Sequence, residues 1–249
     1  IPFGLMGWEL SGWLRFGGGQ KLWEELYAQF NVVPFSAGNT GMQAGGWFNK
    51  EIKSVDDIKG IKMRYAGIGG EAMRRLGANV TMLPAAEILP AMQSGAIDAC
   101  EWVGPWNDYA FGLTQVAKYY YVPAFHEPGT GIEVFNNKDK FASLPEDLQE
   151  IIRVAAQASY NETLSDFTFN NIESYQAILK KGIEIRHFPD EVITALAKQA
   201  GDAVKEIAAK NDLNKRIYDS YMDFVKKAAP YGKQFEATGL MQRAKVWES

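Results

Sequence analysis

The sequence predicts an α/β protein whose second half is helical, with one helix long enough to join two lobes. Up to about residue 136, strand-like runs alternate with helix-like ones, and from Pro145 to Gly182 no internal proline or glycine interrupts the chain. As a helix rising 1.5 Å per residue, that stretch spans roughly 50 Å, more than a compact lobe of this size is wide. A chain of 249 residues with 47% apolar and 13% aromatic content can bury a large core.

The elements follow in order. QKLWEELYAQF reads as a helix and NVVPFSA as a strand. GNTGMQAGGWF, residues 38–48, has the glycines of a phosphate loop, but no GK[ST] follows and no helix opens after it, so it reads as a glycine-rich turn and strand pair crossing between lobes. In SVDDIKG a serine N-cap precedes two acids and a closing Gly60. IKMRYA is then a strand, GEAMRRLG a helix, NVTML a strand, and PAAEILPAMQSG a helix ended by Gly95. AIDACEW is a strand with Glu101 at its carboxyl end, the end that borders the ligand crevice in open α/β sheets. After the long helix come a short strand, GIEIRHF, then helices over PDEVITALAKQAGDAVKEIAAK and NKRIYDSYMDFVKKA, and an amphipathic tail.

Composition removes several function classes. The balance of 26 basic to 30 acidic residues, without a long basic run, argues against nucleic acid. Cys100 stands alone, so neither an internal disulfide nor a CxxC site exists, and His126 and His187 are too few and too far apart for a conventional zinc cage. No apolar run is long enough for a membrane span, and IPFGLMGWELSGW lacks the basic start of an intact signal peptide.

The candidate site residues are polar groups at the ends of apolar runs. Arg64 ends a strand before a glycine-rich turn and a helix start, where a guanidinium can grip a carboxylate with two parallel hydrogen bonds; an exposed arginine is the competing reading. Glu101 precedes Trp102-Val103-Gly104-Pro105-Trp106, and Glu127, in FHEPGT, follows the apolar and aromatic run from Tyr119 to Phe125. Two acids facing one crevice would repel unless a cation or an arginine neutralised them. Oxygen ligands from Glu101, Glu127 and the Gln43 amide suit Na⁺ or Ca²⁺ better than zinc. Trp47, Trp102 and Trp106 lie beside these residues and can wall a pocket, Cys100 reads as a buried small residue, and His126 has no partner that would make it a catalytic dyad.

The ordered set IPFGL, GNTGMQAGGWF, SVDDIKGIKMR, GGEAMRRLGA and PAAEILPAMQSGAIDACEWVGPWND, followed by the long helix, resembles the substrate-binding proteins of tripartite ATP-independent periplasmic (TRAP) transporters, in the branch that binds 2-oxo or 2-hydroxy monocarboxylates. The resemblance implies a two-lobed periplasmic-binding-protein-like fold: residues 1–39 and 126–168 in lobe I, 40–125 and 169–210 in lobe II, and C-terminal helices over 211–249. It implies a periplasmic protein that is not an enzyme, that captures a pyruvate- or lactate-like acid with a bound Na⁺ or Ca²⁺, and that hands it to a TRAP membrane permease. By the same resemblance Arg64 binds the substrate carboxylate, and Gln43, Glu101, the Trp102 carbonyl and Glu127 hold the cation, with Gln43, Glu101 and Trp102 also facing the substrate. The C-terminal helices are the candidate surface for a homodimer. Family members begin with a signal peptide and a β-α-β-α segment before IPFGL, so the first part of lobe I is expected to be missing here. Two other readings stay open: a metal-dependent enzyme acting on small oxo acids, which would need a general base, and an interaction module without a small ligand.

Overall fold

The computed structural model describes residues 1–247. Two helices open the chain, α1 (Gly7–Phe16) and α2 (Gly19–Ala28), then β1 (Val32–Asn39) and β2 (Gly46–Phe48). A 3-10 turn (Val55–Ile58) leads into β3 (Lys62–Arg64), α3 (Gly67–Arg75), β4 (Asn79–Thr81), α4 (Ala85–Ser94) and β5 (Ala99–Cys100). α5 (Pro105–Ala110), β6 (Tyr119–Tyr121), β7 (Gly131–Asn137) and α6 (Lys138–Ala142) complete the mixed part. The rest is α7 (Glu146–Lys180), β8 (Glu184–Arg186), α8 (Asp190–Ala208), α9 (Asp212–Gly232) and, after a π-helical turn, α10 (Thr238–Trp247). The α/β class and the long helix are as the sequence predicts, and α7 runs 35 residues. Among the described residues, no helix is long and apolar enough to cross a membrane.

Six strands form one sheet in the order β4-β3-β5-β2-β6-β8. β3 pairs in parallel with β4 and β5, β2 runs antiparallel to both β5 and β6, and β6 pairs in parallel with β8. Successive residues of a strand point to opposite faces, and here they enter opposite cores: Phe48, Ala99 and Tyr121 pack with Met63, Met73, Val192 and Leu196, while Trp47, Cys100 and Tyr120 pack with Ile88, Met92 and Ile178. Helices therefore cover both faces of this sheet. β1 and β7 form a separate antiparallel pair, in register from Val32 opposite Asn137 to Asn39 opposite Gly131, with an irregularity between Ser36 and Gly38.

Two segments cross from one sheet to the other side by side. The chain between β1 and β2 lies against the chain between β6 and β7, through Thr40 N–H to Thr130 O (3.1 Å), Ala124 N–H to Gln43 O (2.8 Å) and Gly45 N–H to Tyr121 O (2.7 Å). α7 runs along both sheets: Ser159 donates to the Ala37 carbonyl, Asn171 accepts from the Trp106 backbone and donates to the Thr40 carbonyl, and Ile178 is buried beneath the large sheet.

Local differences from the sequence reading have physical reasons. SVDDIKG makes only a 3-10 turn, in which Ser54 and Asp57 cap each other and Gly60, at φ +77°, ends the turn. Of the run before Glu127 only Tyr119–Tyr121 is strand, because Pro123 has no N–H to give a ladder. α1 went unread, since its sequence GWELSGWLRF carries two poor helix formers. The tail does form a helix, α10, none of whose residues is buried, and of the segment 211–249, residues 248–249 lie outside the described residues.

Candidate functional site

Arg64 and Glu101 meet because β3 and β5 are parallel neighbours. Arg64 pairs with Cys100 in register, and the Glu101 N–H donates to the Arg64 carbonyl, so both side chains leave the carboxyl edge of the sheet together. Arg64 Nη1 donates to Glu101 Oε2 at 2.7 Å and also to the Glu101 backbone carbonyl. The two residues are only 7% and 2% exposed, so the carboxylate that the sequence places among apolar residues is a buried half of an ion pair. Arg64 Nε is buried and without a partner. A guanidinium whose Nη1 is taken keeps its Nε–Nη2 edge for a planar two-oxygen acceptor. The Trp102 ring sits 5.3 Å from the guanidinium carbon and stacks on Phe111 at 5.2 Å, a wall on that side of the arginine.

Gln43 and Glu127 come from the two crossing segments and are joined through threonines. Gln43 Nε2 donates to Thr40 Oγ1 (3.1 Å) and Thr130 Oγ1 (2.8 Å), and Thr130 in turn donates to Glu127 Oε2 at 2.5 Å. The Gln43 carbonyl oxygen, Oε1, is buried and accepts nothing. An orphaned acceptor of this kind costs free energy unless a donor or cation meets it.

Between the two groups lies a buried Tyr-His pair. The Tyr65 hydroxyl bridges the Gly45 carbonyl (3.0 Å) and His126 Nδ1 (2.9 Å), and His126 Nε2 stands 3.5 Å from Glu101 Oε1. Burial pushes the Tyr65 phenol well above its usual range, and the Glu101 and Glu127 carboxylates push it the same way, which puts both acids within electrostatic reach of one group. Gly69 of α3 packs so closely on His126 that a Cβ there would lie 2.5 Å from the imidazole's own Cβ. Sequence reading missed this contact and also the arginine's burial.

The largest omission is Asp108. It is fully buried and accepts from the Trp47 indole (2.9 Å), the Tyr120 hydroxyl (2.9 Å) and the Val103 backbone N–H (3.0 Å), so it fastens the loop carrying Glu101 and Trp102 to strands β2 and β6. Burial pushes its carboxyl up to about 6 despite these donors. Nothing local marks it, because its partners are at positions 47, 103 and 120. Cys100 is buried and its thiol pushed up by burial, in keeping with an inert packing residue, and exposed His187 is held to the Val122 carbonyl away from this cluster.

Among the described residues no group of three or more His, Cys, Asp or Glu side chains is arranged to hold a metal. The donors present are an orphaned amide oxygen and carboxylates, a hard-oxygen set that fits Na⁺ or Ca²⁺ and not zinc.

Residues 1–211 match the family model described as bacterial extracellular solute-binding protein, family 7. The chain is 41% identical over 227 residues to a monocarboxylate 2-oxoacid-binding periplasmic protein of Nostoc sp., a match covering 91% of this chain and 62% of that relative's length. Among solved structures, a TRAP transporter solute-binding protein of Bordetella bronchiseptica RB50, a mixed-occupancy dimer with copurified calcium and picolinate in one active site, is 33% identical and superposes with a TM-score of 0.93 over 99% of this chain and 74% of that one. A TRAP periplasmic solute-binding protein of Pseudoalteromonas atlantica T6c with bound sodium and pyruvate is 36% identical, with a TM-score of 0.90 over 97% of this chain and 74% of that one. Family model, relative and structures agree with the resemblance that the motifs carry: this chain belongs to family 7 of the bacterial extracellular solute-binding proteins.

Proposed function

We propose that this protein is the periplasmic solute-binding component of a TRAP transporter, which captures a small 2-oxo or 2-hydroxy carboxylate of the pyruvate or lactate type together with Na⁺ or Ca²⁺ and delivers it to the membrane permease. The observation that carries the reading is the arginine: Arg64 is buried, fixed through Nη1 by Glu101, and left with an unpartnered Nε. Its open edge takes the substrate carboxylate. Gln43 Oε1, Glu101, the Trp102 carbonyl and Glu127 hold the cation, which supplies positive charge to the substrate oxygens. The names of the Nostoc relative and of the sodium- and pyruvate-bound neighbour support this ligand class.

Lobe I is made of residues 1–39 and 126–168 and lobe II of 40–125 and 169–210, and the crossing segments bearing Gln43 and Glu127 are the hinge. Closure is driven by contacts the ligand makes only in the closed form. A homodimer forms through the C-terminal helices, where α10 leaves Leu240, Met241 and Trp247 exposed. The protein binds without turnover. Thermal melting with pyruvate, lactate and longer acids, in potassium buffer with chelator and again with Na⁺ or Ca²⁺, tests the reading. The cognate acid at a hundred times its Kd stabilises the fold by about 2.7 kcal/mol in the presence of the cation. Consumption of the acid, or no shift with any acid, overturns it.

A further inference from the structure

We infer that Thr130 is a positioning residue for the cation: its hydroxyl, together with that of Thr40, sets which way the Gln43 amide faces, and it alone ties that amide to Glu127. The supply of protons decides it. A threonine hydroxyl has one proton to donate and lone pairs to accept. Thr40 gives its proton to the Gly41 carbonyl (3.1 Å), and Thr130 gives its proton to Glu127. Both oxygens are then acceptors only, and both receive the two N–H bonds of Gln43 Nε2. Were the amide turned over, Oε1 would face two oxygens with no proton left to offer, and lone-pair repulsion would replace two hydrogen bonds. Which way an amide points is read from its network, and this network favours the orientation with Nε2 toward the threonines, because the Thr130 proton is committed to the Glu127 carboxylate. It leaves Gln43 Oε1 as the free, buried acceptor.

Thr130 differs from Thr40 in that its proton goes to a second member of the ligand set. One atom therefore ties the Gln43 amide to the Glu127 carboxylate, across the two crossing segments, 87 residues apart in sequence on one side and 3 on the other. Without the hydroxyl, Gln43 is free to turn its N–H groups toward the cation position and Glu127 loses its fixed oxygen. Partners of metal ligands typically contribute about 10- to 100-fold in metal affinity when removed.

This rests on the proposed cation site, and the test separates the two. Wild type, Thr130→Ser and Thr130→Val are titrated with calcium chloride and, in parallel, sodium chloride in potassium buffer without any acid, following melting temperature and heat. The hydroxyl-keeping serine stays close to wild type, and the isosteric valine loses at least about 10-fold in cation affinity. A valine variant that melts lower without cation yet gains as much from it as wild type shows a merely structural threonine and overturns the inference alone. A wild type that responds to neither cation overturns the site reading and the inference with it. If the valine variant does not fold, proton exchange of the Gln43 side-chain amide in wild type decides: protected Nε2 protons in cation-free protein are expected, and exchange at the rate of a solvated glutamine overturns the assignment.

Discussion

In the large sheet Trp47, Tyr120, Tyr121 and Met63 are wholly buried between two helical layers, whereas β7 of the small sheet leaves Ile132, Val134 and Phe135 at 42%, 39% and 54% exposure. The small sheet's own core is Phe35, Phe141 and Ala156 with a few neighbours. Two strands are marginal without a broad apolar face behind them, so rigidity in this molecule is concentrated on one side. The groups that need fixed geometry follow that division. Arg64, Glu101 and Asp108 stand on or next to the large sheet, and Gln43, Glu127 and Thr130 stand on the segments leading away from it. On the proposed reading, the carboxylate grip is built on the stiff side and the cation's adjustable ligands on the hinge, which is how a protein that closes on its ligand can stay selective while moving.

The strongest way to break that contrast is Trp47→Ala. Trp47 is buried, stacked on Tyr120 with ring centroids 4.1 Å apart, and donates to Asp108, so its truncation should cost about 3–5 kcal/mol of folding free energy in urea melts. A loss below about 1 kcal/mol would mean that the large sheet is not the stiff half.

Asp108 sharpens it through pH. Its carboxyl sits at about 6 in the fold against an ordinary 3.8, so the folded state holds the proton more tightly than the unfolded chain does. That contribution favours folding fully below pH 3.8 and is lost as pH rises through about 6. Each tenfold difference in proton affinity between the folded and unfolded chain is worth about 1.4 kcal/mol, so the stability of wild type relative to Asp108→Asn should fall by up to ~3 kcal/mol between about pH 4 and 7. A difference that does not vary with pH would show Asp108 to be ionised at little cost.

Arg64→Lys tests the grip itself. Lysine keeps the charge near Glu101 but not the planar fork, so affinity for the acid should fall by ~1.5–3 kcal/mol by titration calorimetry. Unchanged affinity for every acid that wild type binds would remove Arg64 from the site.

How much of this was legible in the sequence follows from the range of each interaction. The long helix was legible because the 36 residues from Glu146 to Lys181 contain neither proline nor glycine, and Glu101's place at a strand end was legible because Gly95 closes a helix just before it. The pairing of Arg64 with Glu101 was not, since it depends on β3 and β5 being neighbours in register. The sequence left two roles open for Glu101, a cation ligand and an acid paired with a buried arginine. The structure shows the pairing, with the arginine that the motif assigns to the substrate, and a carboxylate has further lone pairs for the cation that the proposed reading gives it. Asp108 and Thr130 were not singled out in the sequence, because the partners that give them their roles lie 61 and 87 residues away.

The smallest effect belongs to the small sheet. Phe135 stacks on Tyr27 with ring centroids 5.5 Å apart but is 54% exposed, so most of its surface already meets water and little burial is lost on truncation. Phe135→Ala should therefore cost less than about 1 kcal/mol, several times less than Trp47→Ala. Amide hydrogen exchange on wild type gives the same comparison without a mutation: the β1–β7 ladder opens through a partial unfolding of lower free energy, and the β2–β6 ladder exchanges only with global unfolding. If Phe135→Ala costs as much as a core truncation, or if both ladders exchange at one common free energy, then the two sheets fold and open as one unit, and the adjustable half of the site must be sought in the crossing segments alone.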